Sequence, residues 1–200
     1  MANEGVDRRR RRFLTAATSV VGAVGAAFVA VPFVASWQPS ARARAIGAPI
    51  EVDISKLEPG QRLIEKWRGK PVWILRRTEG QLATLNQVED RLRDPNSEVI
   101  SQQPSYAQNE YRSIEPDLFV VIGICTHLGC SPLYLRSDEG ATHGLGAEWP
   151  GGFFCPCHGS LFDISGRVFQ GVPAPTNLEV PPYHYLSHNV IEVGVGPREA

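Results

Sequence analysis

The sequence predicts a mainly β head domain that follows a single membrane-spanning helix at the N-terminus. Two observations support the β head. The chain has 19 Gly and 16 Pro among 200 residues, and short apolar stretches with alternating polar residues recur from residue 49 onward. A third observation supports the helix, because an uncharged run from Phe13 to Ala41 follows a block of five arginines. We therefore expect one folded domain with one appendage.

The N-terminal helix is predicted over residues 13–37 as a transmembrane anchor. At a rise of about 1.5 Å per residue, such a segment is long enough to cross a hydrocarbon core of about 30 Å. The arginine block assigns residues 1–12 to the cytoplasm by the positive-inside rule. Pro32 would kink this helix without preventing insertion, and Trp37 is placed as an interfacial anchor.

The same segment also resembles an export signal. Residues 10–14, R-R-R-F-L, resemble a twin-arginine signal, which suits a protein that crosses the membrane already folded. The alternative is a cleaved signal peptide with an A-x-A site at residues 41–43. The apolar run exceeds the usual apolar region of about 7–15 residues in such peptides. We therefore favour a retained anchor.

Residues 38–48 form a predicted flexible hinge, and residues 49–200 form the predicted head. Residues 89–117 are polar and predict an excursion of helix and loop. The predicted strands are Ile50–Ile54, Pro71–Leu75, Gln81–Leu85 and Leu118–Ile124, followed by a final hairpin after Leu178 with its turn at residues 187–189.

The charge of the chain is distributed unevenly. Residues 1–47 hold seven Arg against two acidic residues, whereas the rest of the chain holds 13 Lys and Arg against 19 Asp and Glu, a net charge of −6. An acidic head argues against nucleic acid as a partner, since a basic face would be expected there. It suits a basic protein partner.

All four cysteines lie in two short boxes. Residues 125–130 have the sequence C-T-H-L-G-C, and residues 155–160 have the sequence C-P-C-H-G-S. Each box supplies two cysteines and one histidine. Two thiolates and two imidazoles divide over two irons in the Rieske arrangement, in which two histidines replace two cysteines on one iron of a [2Fe–2S] centre. A zinc site or two disulfides are the alternatives. Structural zinc prefers C-x₂₋₄-C and H-x₃₋₅-H spacings, and the spacing of cysteine to histidine inside each box is not among those patterns.

With its arginine-led anchor, Ala/Arg hinge and Pro-rich loop at residues 171–175, the chain resembles the Rieske iron–sulfur proteins of bacterial quinol–cytochrome c oxidoreductases, the cytochrome bc1 complexes. The resemblance implies an antiparallel β-sandwich with an inserted cluster-binding subdomain at about residues 123–175, holding one [2Fe–2S] cluster. It implies that Cys125 and Cys155 bind one iron, that His127 and His158 bind the other, and that Cys130 and Cys157 form a disulfide.

The resemblance also implies a function. The head would accept an electron from quinol, with ubiquinol favoured, together with a proton on a ligand histidine, and would pass the electron to cytochrome c1. The implied partners are cytochromes b and c1, quinol and membrane lipid within a dimeric complex, with the head in the periplasm and the anchor in the bacterial inner membrane. Further residues receive roles from the same resemblance: proton transfer for His158 and His127, a hydrogen bond to a cluster sulfur for Ser160, and cluster shielding for Leu128, Gly171, Pro173 and Pro175.

One position departs from the pattern. High-potential members of the family carry a tyrosine two residues after the serine, and Phe162 stands there, which cannot donate a hydrogen bond. This departure therefore leaves two candidates for the quinol that donates the electron, ubiquinol and menaquinol. The alternative function is the small Rieske subunit of another periplasmic oxidoreductase, such as arsenite oxidase. His143, His184 and His188 are expected to be structural or solvated.

Overall fold

The computed structural model describes residue 5 and residues 7–197 of the chain. The first residues of the predicted basic segment and the last three residues of the predicted head lie outside the described residues. The chain divides into two compact units, Met1–Ala45 and Ile46–Ala200. The division falls inside the predicted hinge, residues 38–48.

The N-terminal unit contains helix α1, Arg8–Ala35, which is longer at its start than the predicted anchor. Asp7 explains the earlier start, because its Oδ1 accepts hydrogen bonds from the backbone N–H groups of Arg9 at 3.0 Å and Arg10 at 3.3 Å and so caps the helix. The helix continues past Pro32 to Ala35. Its 28 residues, with a mean hydropathy of 2.0 in the most apolar window, are long and apolar enough to span a membrane.

The predicted hinge contains a short helix, α2, Ala41–Gly47. Residues 38–48 have no apolar periodicity, so the sequence pattern predicts no helix there. Ser40 begins it, since the Ser40 hydroxyl accepts a hydrogen bond from the Ala43 N–H at 3.1 Å. The flexibility of the segment stays a prediction.

Over its described residues, the head contains three antiparallel sheets of three strands each. In chain order the strands are β1, Ile50–Asp53; β2, Arg62–Trp67; β3, Lys70–Arg76; β4, Leu118–Ile122; β5, Leu133–Leu135; β6, Gly152–Cys155; β7, Ser160–Phe162; β8, Tyr183–Ser187; and β9, Val190–Val193. The strand orders are β1-β9-β8, β2-β3-β4 and β5-β6-β7. The predicted mainly β, antiparallel fold class is confirmed, and so is the final hairpin, β8–β9.

One hydrophobic core draws side chains from all three sheets. Its centre is β4, all five residues of which are buried. This strand pairs with β3 along its whole length. Because β4 leads within three residues to the first box, the metal-binding segment begins on a rigid, fully buried strand.

One predicted strand is wrong. Residues 81–85 do not pair in a sheet, since Glu79–Leu82 form a short helix, α3, and Leu85–Gln87 a 3₁₀ turn. The cause is a capping box. The Thr78 hydroxyl accepts from the Gln81 N–H at 3.2 Å, and the Gln81 side chain accepts from the Thr78 N–H at 3.0 Å. The T-x-x-Q spacing was the signal for this turn of helix.

The polar excursion at residues 89–117 contains 3₁₀ turns where a helix was expected. Buried arginines hold this irregular segment. Arg112 is fully buried, and its guanidinium donates to the backbone carbonyls of Gln102 at 3.1 Å and of Ser165 and Gly166 at 3.3 Å each. Carbonyls outside a sheet ladder need such donors when they are buried. The contacts fix the excursion against the loop that follows β7.

Candidate metal centre

The two boxes form similar turns at the ends of strands. The first box follows β4, and the second lies between β6 and β7, with Cys155 paired across the hairpin with Ser160. In each box, a glycine N–H donates to the carbonyl of the cysteine four residues earlier: Gly129 to Cys125 at 3.0 Å and Gly159 to Cys155 at 2.9 Å. Both glycines have φ near +80°, a conformation that strains any residue with a Cβ. The turn geometry therefore explains the glycine of each box.

A disulfide joins the two boxes. The structure pairs Cys130 with Cys157, with Cα atoms 6.7 Å apart and a sequence separation of 27. This is the pairing that the family resemblance implies. Within the first box, the Cys125 N–H donates to the Cys130 carbonyl at 2.8 Å, so the bridged end of that turn is also tied to its first cysteine.

The two remaining cysteines are free and buried. Cys125 is 1% exposed and Cys155 is 2% exposed. Burial raises the pKa of the Cys125 thiol, while hydrogen bonds from the His127 backbone N–H and the Ser160 hydroxyl lower it, and the adjacent Cys155 thiol raises it further.

The two box histidines lie side by side. Their ring centroids are 4.8 Å apart with an interplanar angle of 87°. His158 is exposed and His127 is half-buried. The other three histidines lie elsewhere: His143 ends an exposed 3₁₀ turn, and His184 and His188 belong to the final hairpin, as the sequence predicts.

The residues that the structure brings together fit a two-iron centre with mixed ligands. Two buried thiols and two outward-lying imidazoles come from separate turns, and a disulfide holds those turns together. Neutral imidazoles at the solvent side and thiolates on the core side match the division of ligands between the two irons of a Rieske cluster. The sulfur of Cys155 lies within 4.8 Å of both disulfide sulfurs, so the bridge adjoins the site.

A third segment, residues 171–176, contacts both boxes. The buried Ser160 hydroxyl accepts a hydrogen bond from the Ala174 N–H at 3.0 Å. The Thr126 hydroxyl, from the first box, donates to the Thr176 carbonyl at 2.7 Å. Ala174 is fully buried. The residues predicted to shield the cluster are exposed at the surface of the same region: Leu128, Gly171, Pro173 and Pro175.

Sequence reasoning missed Thr126 and Ala174. One signal for Ala174 was present in the sequence, because it is the only residue of the Pro-Ala-Pro segment that retains a backbone N–H.

Two family descriptions match the chain. Residues 95–183 match the Rieske [2Fe-2S] domain, and residues 1–40 match the region described as the Ubiquitinol-cytochrome C reductase Fe-S subunit TAT signal. The chain is 59% identical over 194 residues to the ubiquinol-cytochrome c reductase iron-sulfur subunit of Allochromatium vinosum, covering 97% of this chain and 92% of that protein. The chain belongs to the family of ubiquinol-cytochrome c reductase iron-sulfur subunits.

A second curated relative agrees with this assignment. The iron-sulfur subunit of Blastochloris viridis is 41% identical over 196 residues, covering 98% of each chain. Among solved structures, a hyperthermophilic respiratory Complex III gives a TM-score of 0.47 at 27% identity, covering 90% of this chain and 98% of that chain. As a Rieske protein, the chain has one [2Fe–2S] cluster as its cofactor. Its apolar helix α1 fits a membrane-anchored subunit.

The Rieske domain also shows where Phe162 lies. Phe162 is fully buried in β7, two residues after Ser160, so both side chains project from the same face of that strand. Its ring belongs to the same core as Cys125 and Cys155. The face of β7 that carries the Ser160 hydroxyl therefore also carries an aromatic ring without a donor.

Proposed function

We propose that this chain is the electron-transfer subunit of a cytochrome bc1 complex, which accepts an electron from quinol and passes it to cytochrome c1. The observation that carries the proposal is the pair of adjacent histidine rings on the same two turns that carry two buried free cysteines. The identity of 59% to a ubiquinol-cytochrome c reductase subunit supports the same conclusion. Cytochromes b and c1 are the proposed partners, in a dimeric complex that contains membrane lipid.

The ligand assignment is Cys125 and Cys155 on one iron and His127 and His158 on the other. When bound, a Rieske cluster supplies one-electron chemistry at a potential of roughly −150 to +300 mV. The chain supplies the surroundings. The disulfide and the two glycine turns hold the ligand loops, and burial excludes water from the cysteines.

The exposed ring of His158 is the proposed contact for quinol. Its outer nitrogen accepts the hydrogen bond of a quinol hydroxyl and then holds the proton that leaves the quinol. Leu128, which is 69% exposed, provides an apolar surface at the tip of the neighbouring box. A hydrophobic rim beside one polar ring suits a substrate with an apolar tail and a hydroxyl head.

The experiment replaces one histidine at a time in the full chain within its membranes. His158→Ala and His127→Ala are expected to abolish both the reduced-state EPR signal of the cluster and quinol-dependent cytochrome c reduction. His143→Ala is the matched control, because His143 lies between the boxes in sequence and is exposed at the end of a 3₁₀ turn. It should retain both.

A tagged chain should also co-purify with haem-containing cytochromes b and c1. Recovery without them, or with a molybdenum-containing partner, would overturn the proposed assembly in favour of another oxidoreductase. A full EPR signal in His158→Ala would show that the ligand assignment is wrong.

The N-terminal helix and the segment after it support a proposal for the location of the chain and the movement of its head. We infer that α1 anchors the chain in the bacterial inner membrane with its arginines in the cytoplasm and the head in the periplasm, where an oxidising compartment suits the disulfide. Residues 38–48 are the proposed hinge, which would let the head move between quinol and cytochrome c1.

The hinge can be tested with proline. Ala45→Pro lies inside α2 and should slow quinol turnover, because proline fixes φ and disrupts a helix interior, while the EPR spectrum stays unchanged. Ala41→Pro is the control, since proline is tolerated at the first position of a helix. Equal turnover in Ala45→Pro, Ala41→Pro and the wild type would mean that the segment is only a tether.

A further inference from the structure

Three arginine side chains are buried inside the head. They are Arg77 and Arg167, each 2% exposed, and Arg112, which is fully buried. Among the residues that the structure describes, Asp163 is the only buried carboxylate. It pairs with Arg167, with Nε and Oδ2 2.7 Å apart. Together these four side chains are the buried charge cluster, in which three positive charges face one negative charge.

Neutral oxygen atoms hold the two arginines outside the ion pair. Arg77 donates to the hydroxyls of Ser113 at 2.8 Å and Ser165 at 2.7 Å. Arg112 donates to Oε1 of Gln103 at 2.9 Å and to backbone carbonyls of the same region. Such acceptors solvate a guanidinium, but they carry no net charge. The positive charge of the cluster is therefore stabilised without being neutralised.

The two arginines stay charged at neutral pH. Burial lowers the pKa of Arg77 and of Arg112 to about 10, against the opposing effect of nearby acids. Besides Asp163, these acids include Asp117 near Arg77 and Asp94 near Arg112, both of which are half-buried. Solvent screens a carboxylate that reaches the surface more strongly than it screens a buried charge. The interior behind β7 therefore retains a net positive charge.

Buried aromatic rings lie between this charge and the second box. The guanidinium carbon of Arg77 is 5.0 Å from the ring centre of Phe119. The ring centres of Phe119 and Phe153 are 6.3 Å apart, and both side chains are fully buried. Phe153 stands two residues before Cys155 on β6. An apolar medium weakens a Coulomb interaction much less than water does, so the charge acts on the ligand end of this strand.

A second connection runs along the β6–β7 hairpin. Ser160 pairs with Cys155 at one end of the hairpin, and Asp163 directly follows β7 at the other end. At about 3.3 Å per residue, Asp163 lies about 10 Å along the strand from Ser160. Arg112 donates to the Ser165 carbonyl on the turn that follows. Buried charges of both signs therefore lie at the far end of the hairpin that carries Cys155.

We propose that the buried charge cluster raises the midpoint potential of the redox centre through its net positive charge. Reduction adds one negative charge to an iron–sulfur cluster, and a fixed positive charge stabilises the reduced state more than the oxidised state. These charges are held by the fold, so they need no reorganisation when the electron arrives. The inference rests on the proposed cluster ligands. It gives the centre a source of positive potential on the side where Phe162 offers no donor.

The test is a set of midpoint potentials from EPR redox titrations of the full chain in its membranes. Arg112→Gln removes a positive charge and should lower the potential. Asp163→Asn removes a negative charge and should raise it. The double variant should lie between the two single variants. General damage to the fold would move both single variants in the same direction, so shifts of equal sign would overturn the proposal. An unchanged potential in either single variant would also overturn it.

Two further variants separate charge from packing. Gln103→Met removes the hydrogen bond of 2.9 Å to Arg112 at similar volume and without a change of charge, so it should keep the wild-type potential. A decrease as large as that of Arg112→Gln would assign the effect to packing and refute the role of the charge. Arg77→Gln tests the same prediction at a second position, including the case in which Arg112→Gln does not fold. It should also lower the potential, and an unchanged value would refute the proposal.

Ionic strength distinguishes buried charges from surface charges. The shifts of Arg112→Gln and Asp163→Asn should persist at about 1 M salt, where the Debye length is about 3 Å. Asp117→Asn changes a side chain that is 49% exposed, so any shift that it causes should disappear in the same salt. Shifts of the buried variants that disappeared in salt would overturn the proposal. A wild-type EPR signal with unchanged potentials would refute this inference alone, because the signal reports the ligand set independently of the surrounding charge.

Discussion

Removal of the Cys130–Cys157 disulfide should destabilise the head while leaving all four proposed ligands in place. The bond joins two turns that are otherwise linked only through the chain between them, at a sequence separation of 27. Each turn keeps its own glycine hydrogen bond after the change, at 3.0 Å in the first box and 2.9 Å in the second. The variants are Cys130→Ser, Cys157→Ser and the double substitution.

The magnitude follows from the length of the closed loop. For the separation of 27 residues, the chain-entropy relation gives about 3.5 kcal/mol of stabilisation at 25 °C. For a domain of this size, each kcal/mol corresponds to about 2–4 °C in Tm, so the expected decrease is about 7–14 °C.

The assay is thermal unfolding of the purified full chain in detergent, followed by the visible absorption of the cluster and by circular dichroism. If each cysteine stabilises the head only through the shared bond, the free energy of unfolding of the double variant should lie within a few tenths of a kcal/mol of that of either single variant. Full cluster occupancy and an unchanged Tm in Cys130→Ser would refute the reasoning. So would additive losses in the double variant, because they would assign independent roles to the two cysteines.

Two further predictions concern the strand and loop behind the second box. Phe162→Tyr should raise the midpoint potential of the cluster. The rise should be less than about 130 mV, because a hydrogen bond to a charged group contributes about 1.5–3 kcal/mol and both redox states feel it. A voltammogram in which the potential stayed level or fell would mean that the ring does not face the cluster. Asp163→Asn should lower the free energy of unfolding by about 3–5 kcal/mol, because it leaves the buried Arg167, paired at 2.7 Å, without its counter-ion. Asp117→Asn, which breaks a more exposed pair, is the control in the same denaturant titration and should cost under about 1 kcal/mol; equal losses in the two variants would contradict this account.

The local residue pattern was sufficient to predict those helices and strands whose sequence signals lie within a few residues of one another. β1, β4 and the final hairpin follow from apolar alternation or apolar runs. Local pattern failed where two local signals competed, as at residues 78–82, where a capping box formed a turn of helix in place of a strand. It also failed for the short strands β5, β6 and β7, which have three or four residues each and are defined by their partners.

The sequence by itself determined the chemistry of the centre, because all four cysteines and two of the five histidines lie in two boxes with a distinctive spacing. Only the tertiary structure decided how those residues combine. Four cysteines allow six choices of a single disulfide, and the one that forms, between Cys130 and Cys157, joins residues of separate turns. The contact of Ala174 with Ser160 likewise connects two loops. Spacing along a chain constrains neighbours on one turn, whereas contacts between turns depend on how the sheets beneath them pack.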